Sequence, residues 1–109
     1  MIRLNVVLSA RSPREVDELL AAMRFVVAET LQQEGCSACS AWAEPNQTVH
    51  YDASWLTEDV LRRHVQSPLF TSLLAVVEAT ETRPRFRFDF VSHSRGLEYV
   101  AEVRGQSID

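Results

Sequence analysis

Residues 55–70 read Trp55-Leu56-Thr57-Glu58-Asp59-Val60-Leu61-Arg62-Arg63-His64-Val65-Gln66-Ser67-Pro68-Leu69-Phe70. The stretch begins at the end of a strand and continues as a helix, a break and a second helix. Thr57 is placed to cap the first helix, because its hydroxyl can accept an orphan backbone N–H, and Glu58 and Asp59 follow where the helix dipole is positive. Ser67-Pro68 repeats the device, with Ser67 as cap and Pro68 at the first helical position, where a missing N–H costs nothing. A strand ending in Trp55 is thereby joined to a two-part helix carrying His64. The corner they make is a candidate wall for a pocket.

Upstream, Thr48 to Trp55 alternates Val49, Tyr51, Ala53 and Trp55 with His50, Asp52 and Ser54, a strand pattern. Pro45-Asn46-Gln47 is a turn, so Cys36 to Glu44 pairs with this strand as an antiparallel hairpin. Residues 2–9 form the first strand, with Ile2, Leu4, Val6 and Leu8 in one row and Arg3, Asn5, Val7 and Ser9 in the other. Ser12-Pro13-Arg14-Glu15 opens a helix as a capping box with proline at its start. Val16, Leu19, Leu20, Met23, Val26, Val27 and Leu31 make its core stripe, and Gly35 is read as its left-handed cap. Downstream, Leu69, Phe70, Leu73, Leu74, Val76 and Val77 form another stripe, and Thr80 to Pro84 a loop. Arg85 to Val91 is a fourth strand, with Phe86, Phe88 and Phe90 alternating against Arg85, Arg87 and Asp89. A turn at Ser92–Gly96 leads to Leu97–Arg104, where Leu97, Tyr99, Ala101 and Val103 are read as a fifth strand, and residues 105–109 as a frayed end. The order is β-α-β-β-α-β plus a C-terminal strand: an α+β, ferredoxin-like split βαβ with helices on one face of an antiparallel sheet. The other face also carries apolar residues, which predicts a second copy covering it, with the extra strand pairing across the interface.

The chain of 109 residues is expected to be one domain, spanning residues 1–109, and its 46% hydrophobic content supports a core. A formal charge of −4 offers no field for nucleic acid or an anionic membrane surface. No apolar run approaches a bilayer span or a signal peptide, so the expected location is cytoplasmic. Cys36 and Cys39 are spaced like a redox or metal pair, but they fall in a strand, where residues three apart point to opposite faces, so both are read as structural. A glycine-rich phosphate loop, a G-x-S-x-G elbow and a metal-ligand constellation are all absent from the sequence.

The element order, Ser12-Pro13, the run His64-Val65-Gln66-Ser67-Pro68-Leu69-Phe70, the segment from Val76-Val77-Glu78 to Pro84 and Phe86, and Gly96-Leu97-Glu98-Tyr99 together resemble the antibiotic biosynthesis monooxygenase family over nearly the whole chain. The resemblance implies a dimeric α+β barrel, that is, a homodimer whose sheets close into a barrel with exchanged C-terminal segments. It also implies a pocket between sheet and helices. Oxygenases of this family often use no metal or flavin: the substrate is deprotonated and its carbanion reacts with dioxygen directly. In the haem-degrading branch, Asn5 matches the strand-one Asn, His64 stands at the Trp position and Leu74 where the ligating His would be.

Asn5 is a polar residue in an apolar strand. Its amide either holds a substrate oxygen or bonds a neighbouring turn or solvent. His64 either takes a phenolic proton or is a helix histidine bonded to water or a backbone carbonyl. Arg85 and Arg87 either steady an enolate or phenolate or belong to a salt-bridged strand row with Asp89. Trp55, Tyr51 and Phe70, with Trp42, either line an aromatic pocket or fill the core. His50 alternates with Asp52 in a polar row, and His93 is a weaker candidate. Two functions follow. One is a cofactor-independent monooxygenase acting on a hydroquinone-like or polyphenolic aromatic compound, with Asn5, His64 and Arg85 catalytic and Trp55, Tyr51 and Phe70 binding substrate. The other is a non-catalytic dimeric module that binds a small aromatic molecule or a protein partner.

Overall fold

The alternation of Ile2, Leu4, Val6 and Leu8 makes β1 (Ile2–Ser9) the middle of the sheet: these side chains are buried while Arg3 and Ser9 are exposed. The computed structural model describes residues 1–80, 83–90 and 94–105. In them β1 is followed by α1 (Pro13–Thr30), β2 (Cys36–Ala43), β3 (Thr48–Trp55), α2 (Glu58–Gln66), α3 (Pro68–Glu78), β4 (Arg85–Asp89), β5 (Ser94–Arg95) and α4 (Leu97–Arg104). The sheet runs β2-β3-β1-β4-β5 with every neighbour antiparallel, so β2 is an edge. This is the ferredoxin-like arrangement with one short strand added. Val6 lies opposite Tyr51 on one side and Phe86 on the other, so one continuous apolar face is presented to the helices. Leu4, Val6 and Leu8 are fully buried in it, and each such side chain contributes about 1.5–3 kcal/mol.

The helix starts form as their caps dictate. Ser12 Oγ accepts the Glu15 N–H at 3.1 Å. The Glu15 carboxylate takes the Arg11 N–H at 3.0 Å, one residue earlier than a capping box requires. Thr57 Oγ1 accepts from Val60 N–H. Ser67 serves two helices: its hydroxyl donates to the last-turn carbonyl of His64 at 2.6 Å and accepts from Phe70 N–H at 3.2 Å. The Ser67 side chain therefore ties the end of α2 to the start of α3.

Four expectations are corrected. Leu97–Arg104 is a helix, not a strand, because Tyr99, Val100 and Val103 are the buried residues, a helical spacing, and Gly105 closes it in the left-handed conformation. This helix packs against its own chain: Tyr99 Oη donates to Glu58 at 3.0 Å, and the Arg104 guanidinium donates to the Val65 carbonyl at 2.7 Å and to Thr71. Helix α1 ends at Thr30, before Gly35, so Gly35 is not its cap and Leu31 is exposed. Cys36 and Cys39 lie on the same face, opposite Trp55 and Ala53, because a bulge between Cys36 and Ala38 adds one residue. The strand read through Val91 ends at Asp89, and Val91, Ser92 and His93 lie outside the described residues, as do residues 106–109.

Gly35 instead supplies a tight approach. Its φ is +85°, and a Cβ there would stand 2.5 Å from Val60 Cγ2. Gly35→Ala is expected to lower stability by about 2 kcal/mol through the strained backbone alone, before any clash with α2. A urea midpoint equal to that of the parent chain would contradict this packing.

Candidate functional site

On the helix side of the sheet, the end of β3 meets α2 and α3 in a stack of rings. Trp55 and His64 stack with centroids 4.5 Å apart, and the edge of Phe70 meets His64 at 5.2 Å. All three are buried, His64 to within 1%. His64 Nδ1 lies 2.7 Å from Gln33 Oε1. An amide oxygen only accepts, so Nδ1 carries the hydrogen and Nε2 is a bare lone pair. That atom and Trp55 Nε1 have no hydrogen-bond partner among the described residues. Burial pulls the imidazole pKa from 6.5 down to about 4, so the ring is neutral at pH 7. Tyr51 lies deeper. Thr30 donates its hydroxyl hydrogen to the Val26 carbonyl at 2.7 Å, so Tyr51, 3.2 Å from the same oxygen, is the donor. Burial raises the Tyr51 phenol pKa and lifts the Cys39 thiol to about 11, leaving both protonated.

The opposite face carries the odd-numbered row of β1. Asn5 Nδ2 donates to Asp52 Oδ2 at 3.2 Å and, more weakly, to the Tyr51 carbonyl at 3.5 Å. Arg3 Nε reaches the same Asp52 oxygen at 2.7 Å. Both N–H groups of the Asn5 amide are thus engaged, and its Oδ1 remains an acceptor. Further along, Ser94 and Arg87 both donate to Asp89, holding its carboxyl below the usual range. Trp42 lies flat on His50, 4.8 Å between centroids, with Glu44 3.3 Å from His50 Nε2. Over the paired strands β1 and β4 lies a groove of about 810 Å³, lined by Asn5, Val7, Arg83, Pro84, Arg85, Phe86, Arg87 and Leu97. This lies within the size range of small-molecule sites.

The sheet therefore divides the candidates. Asn5 and Arg85 share the groove. His64, Trp55, Tyr51 and Phe70 are together on the other side, in the core, where a surface hollow of about 240 Å³ beside Gln33 and Arg63 reaches only His64 among them. Two contributors escaped sequence reasoning, Gln33 and Arg83, while Asp52 is legible there only as part of a polar row with His50. Arg83 had a signal, since Arg83, Arg85 and Arg87 continue one period-two row. Gln33 lies past the end of α1 and had none. Leu74, half-buried on α3, offers no metal ligand where a haem-ligating histidine would stand, and His64 Nδ1 is already bonded to Gln33, so these residues do not fit haem. Among the described residues no three His, Cys, Asp or Glu side chains converge to hold a metal ion, and no helix is long and apolar enough to cross a membrane.

No family model and no curated protein matches the chain. Solved structures do. A conserved protein from Methanosarcina mazei Go1 is 21% identical, with 81% of this chain and 89% of that one covered at a TM-score of 0.70. A protein named antibiotic biosynthesis monooxygenase is 16% identical over 84% of this chain and 98% of its own, TM-score 0.69. A candidate antibiotic biosynthesis monooxygenase from Deinococcus radiodurans is 16% identical over 85% and 94%, TM-score 0.72. The chain has the fold of these proteins.

The buried His64 makes the fold sensitive to acid. Between about pH 6.5 and 4 the unfolded chain binds a proton at this ring that the folded chain excludes, so stability falls as pH drops through that window and is level with respect to His64 above it. The loss is on the order of 3 kcal/mol. Urea midpoints at pH 7.5, 5.5 and 4.5 should fall in that order, and less steeply in His64→Gln. Equal slopes in the two chains would remove His64 as the cause.

Proposed function

We propose that the chain is a cytoplasmic, homodimeric monooxygenase that oxidises a hydroquinone-like or polyphenolic aromatic compound with dioxygen and without a cofactor, and that the groove beside Asn5 and Arg85 holds the substrate. The observation that supports this most directly is the pairing of an acceptor amide and a guanidinium in a groove with apolar walls from Val7, Pro84 and Leu97. Arg85 has no ion-pair partner among the described residues. A cation there lowers the pKa of a phenol and favours its anion. Asn5 Oδ1 accepts from a second ring hydroxyl and sets the ring's orientation.

The phenolate delivers its electrons to dioxygen. One oxygen atom bonds to the ring carbon that loses its hydrogen and becomes a carbonyl. The other oxygen leaves as water with that hydrogen and the phenolic proton. Both electron pairs come from the substrate, so no outside reductant enters. A second copy laid on the open face would close the groove and exclude water, which strengthens the Arg85 charge. In this arrangement Trp55, Tyr51 and Phe70 set the position of the strands from behind the sheet.

Oxygen uptake by metal-stripped protein, measured against hydroquinones and naphthols and corrected for autoxidation, tests the reading. Asn5→Ala and Arg85→Ala should each lower turnover at least about tenfold, roughly 1.4 kcal/mol of barrier. Binding without uptake or product would indicate a ligand-binding module instead. A His64→Gln chain that folds should keep most of its turnover, because the sheet stands between His64 and the groove, and a folded chain that loses it would contradict placing the substrate there. Light scattering should give about twice the 12.4 kDa chain mass, and a monomer at micromolar concentration would contradict the closed groove.

A further inference from the structure

The groove holds more positive charge than one phenolate requires. Three arginines line it, Arg83, Arg85 and Arg87, and no carboxylate does. Arg87 is held by Asp89 at 2.7 Å. Arg83 and Arg85 are exposed and have no ion-pair partner among the described residues, in a chain whose formal charge is −4. Elsewhere on this face the charges are matched locally, as Arg3 is by Asp52. Arg83 and Arg85 line the same groove without an ion-pair partner among the described residues, and the planar fork of a guanidinium suits a carboxylate. The walls at Val7, Pro84 and Leu97 are apolar, so the anion that belongs there is attached to a hydrophobic body.

We infer that the compound this groove takes is an aromatic acid: a phenolic ring that also bears a permanently ionised carboxylate, held by Arg83 and Arg85 together. The inference rests on the reading of the groove as the substrate site. The carboxylate supplies binding and orientation and takes no part in the oxygen chemistry.

The test is anaerobic titration calorimetry with two probes, 1,4-dihydroxy-2-naphthoate and 1,4-dihydroxynaphthalene, which differ by the carboxylate alone. The acid should bind at least about tenfold more tightly, and added salt should erode the difference, as it does for exposed charge pairs. The preference should vanish in the Arg83→Gln, Arg85→Gln double variant and persist in Arg14→Gln, which removes an exposed arginine paired with Glu18 on α1. Equal affinities, no binding of either probe, or a preference that survives the double variant would overturn the inference. Oxygen uptake separates it from the functional reading. A preference for the acid without uptake keeps the aromatic-acid assignment and removes the monooxygenase. Uptake with the uncharged ring as fast as with the acid, at equal affinity, does the reverse.

Discussion

A neutral imidazole wedged between Trp55 and Phe70 fixes the angle between the sheet and its helices. His64 joins four pieces of chain at once. Its ring meets the end of β3 and the first turn of α3, its Nδ1–H reaches Gln33 beyond α1, and its carbonyl takes the Ser67 hydroxyl at the break between helices. Arg104 then ties α4 to the same break through the Val65 carbonyl and Thr71. Charging the ring would place a cation among aromatic side chains with only an amide to solvate it, so the corner depends on the imidazole staying neutral.

The opposite face is built on a different rule. Its polar groups form short closed circuits, Arg3 and Asn5 on Asp52, and Arg87 and Ser94 on Asp89. Such circuits let a strand face carry charge without strong attraction for any one ligand. In the groove beside β4, Arg83 and Arg85 have no such partner among the described residues. Structural polarity and ligand-directed polarity thus occupy one surface, and only the count of partners tells them apart.

Much of the fold was legible because its signals are local. Thr57, Ser67-Pro68 and Ser12-Pro13 cap the helices that their positions announce, and the rows through Ile2, Val49 and Phe86 alternate with period two. Leu97–Arg104 misled because Leu97, Tyr99, Ala101 and Val103 alternate, while the buried set of Tyr99, Val100 and Val103 depends on where β4 and α2 lie. The bulge at Cys36 left no mark in the sequence, since it shows only in the register against β3. The candidate site was legible as residue types but not as a site. Asn5 and His64 are both polar residues in apolar settings, and which face each occupies follows from sheet packing. The partner of Asn5, Asp52, is 47 residues away.

Strand β2 has a bearing on how the chain behaves before and during assembly. It is an edge, and its eight residues, Cys36–Ala43, include no charged side chain and no proline. Natural edges are usually blunted by one or the other, because an open row of N–H and C=O groups accepts any passing strand. Here the device present is the kink at Cys36, which spoils the first residues and leaves the run toward Trp42 straight. Fidelity of association in a crowded or partly folded population therefore rests on a single irregularity of backbone, and smoothing it would turn a quiet margin into a template.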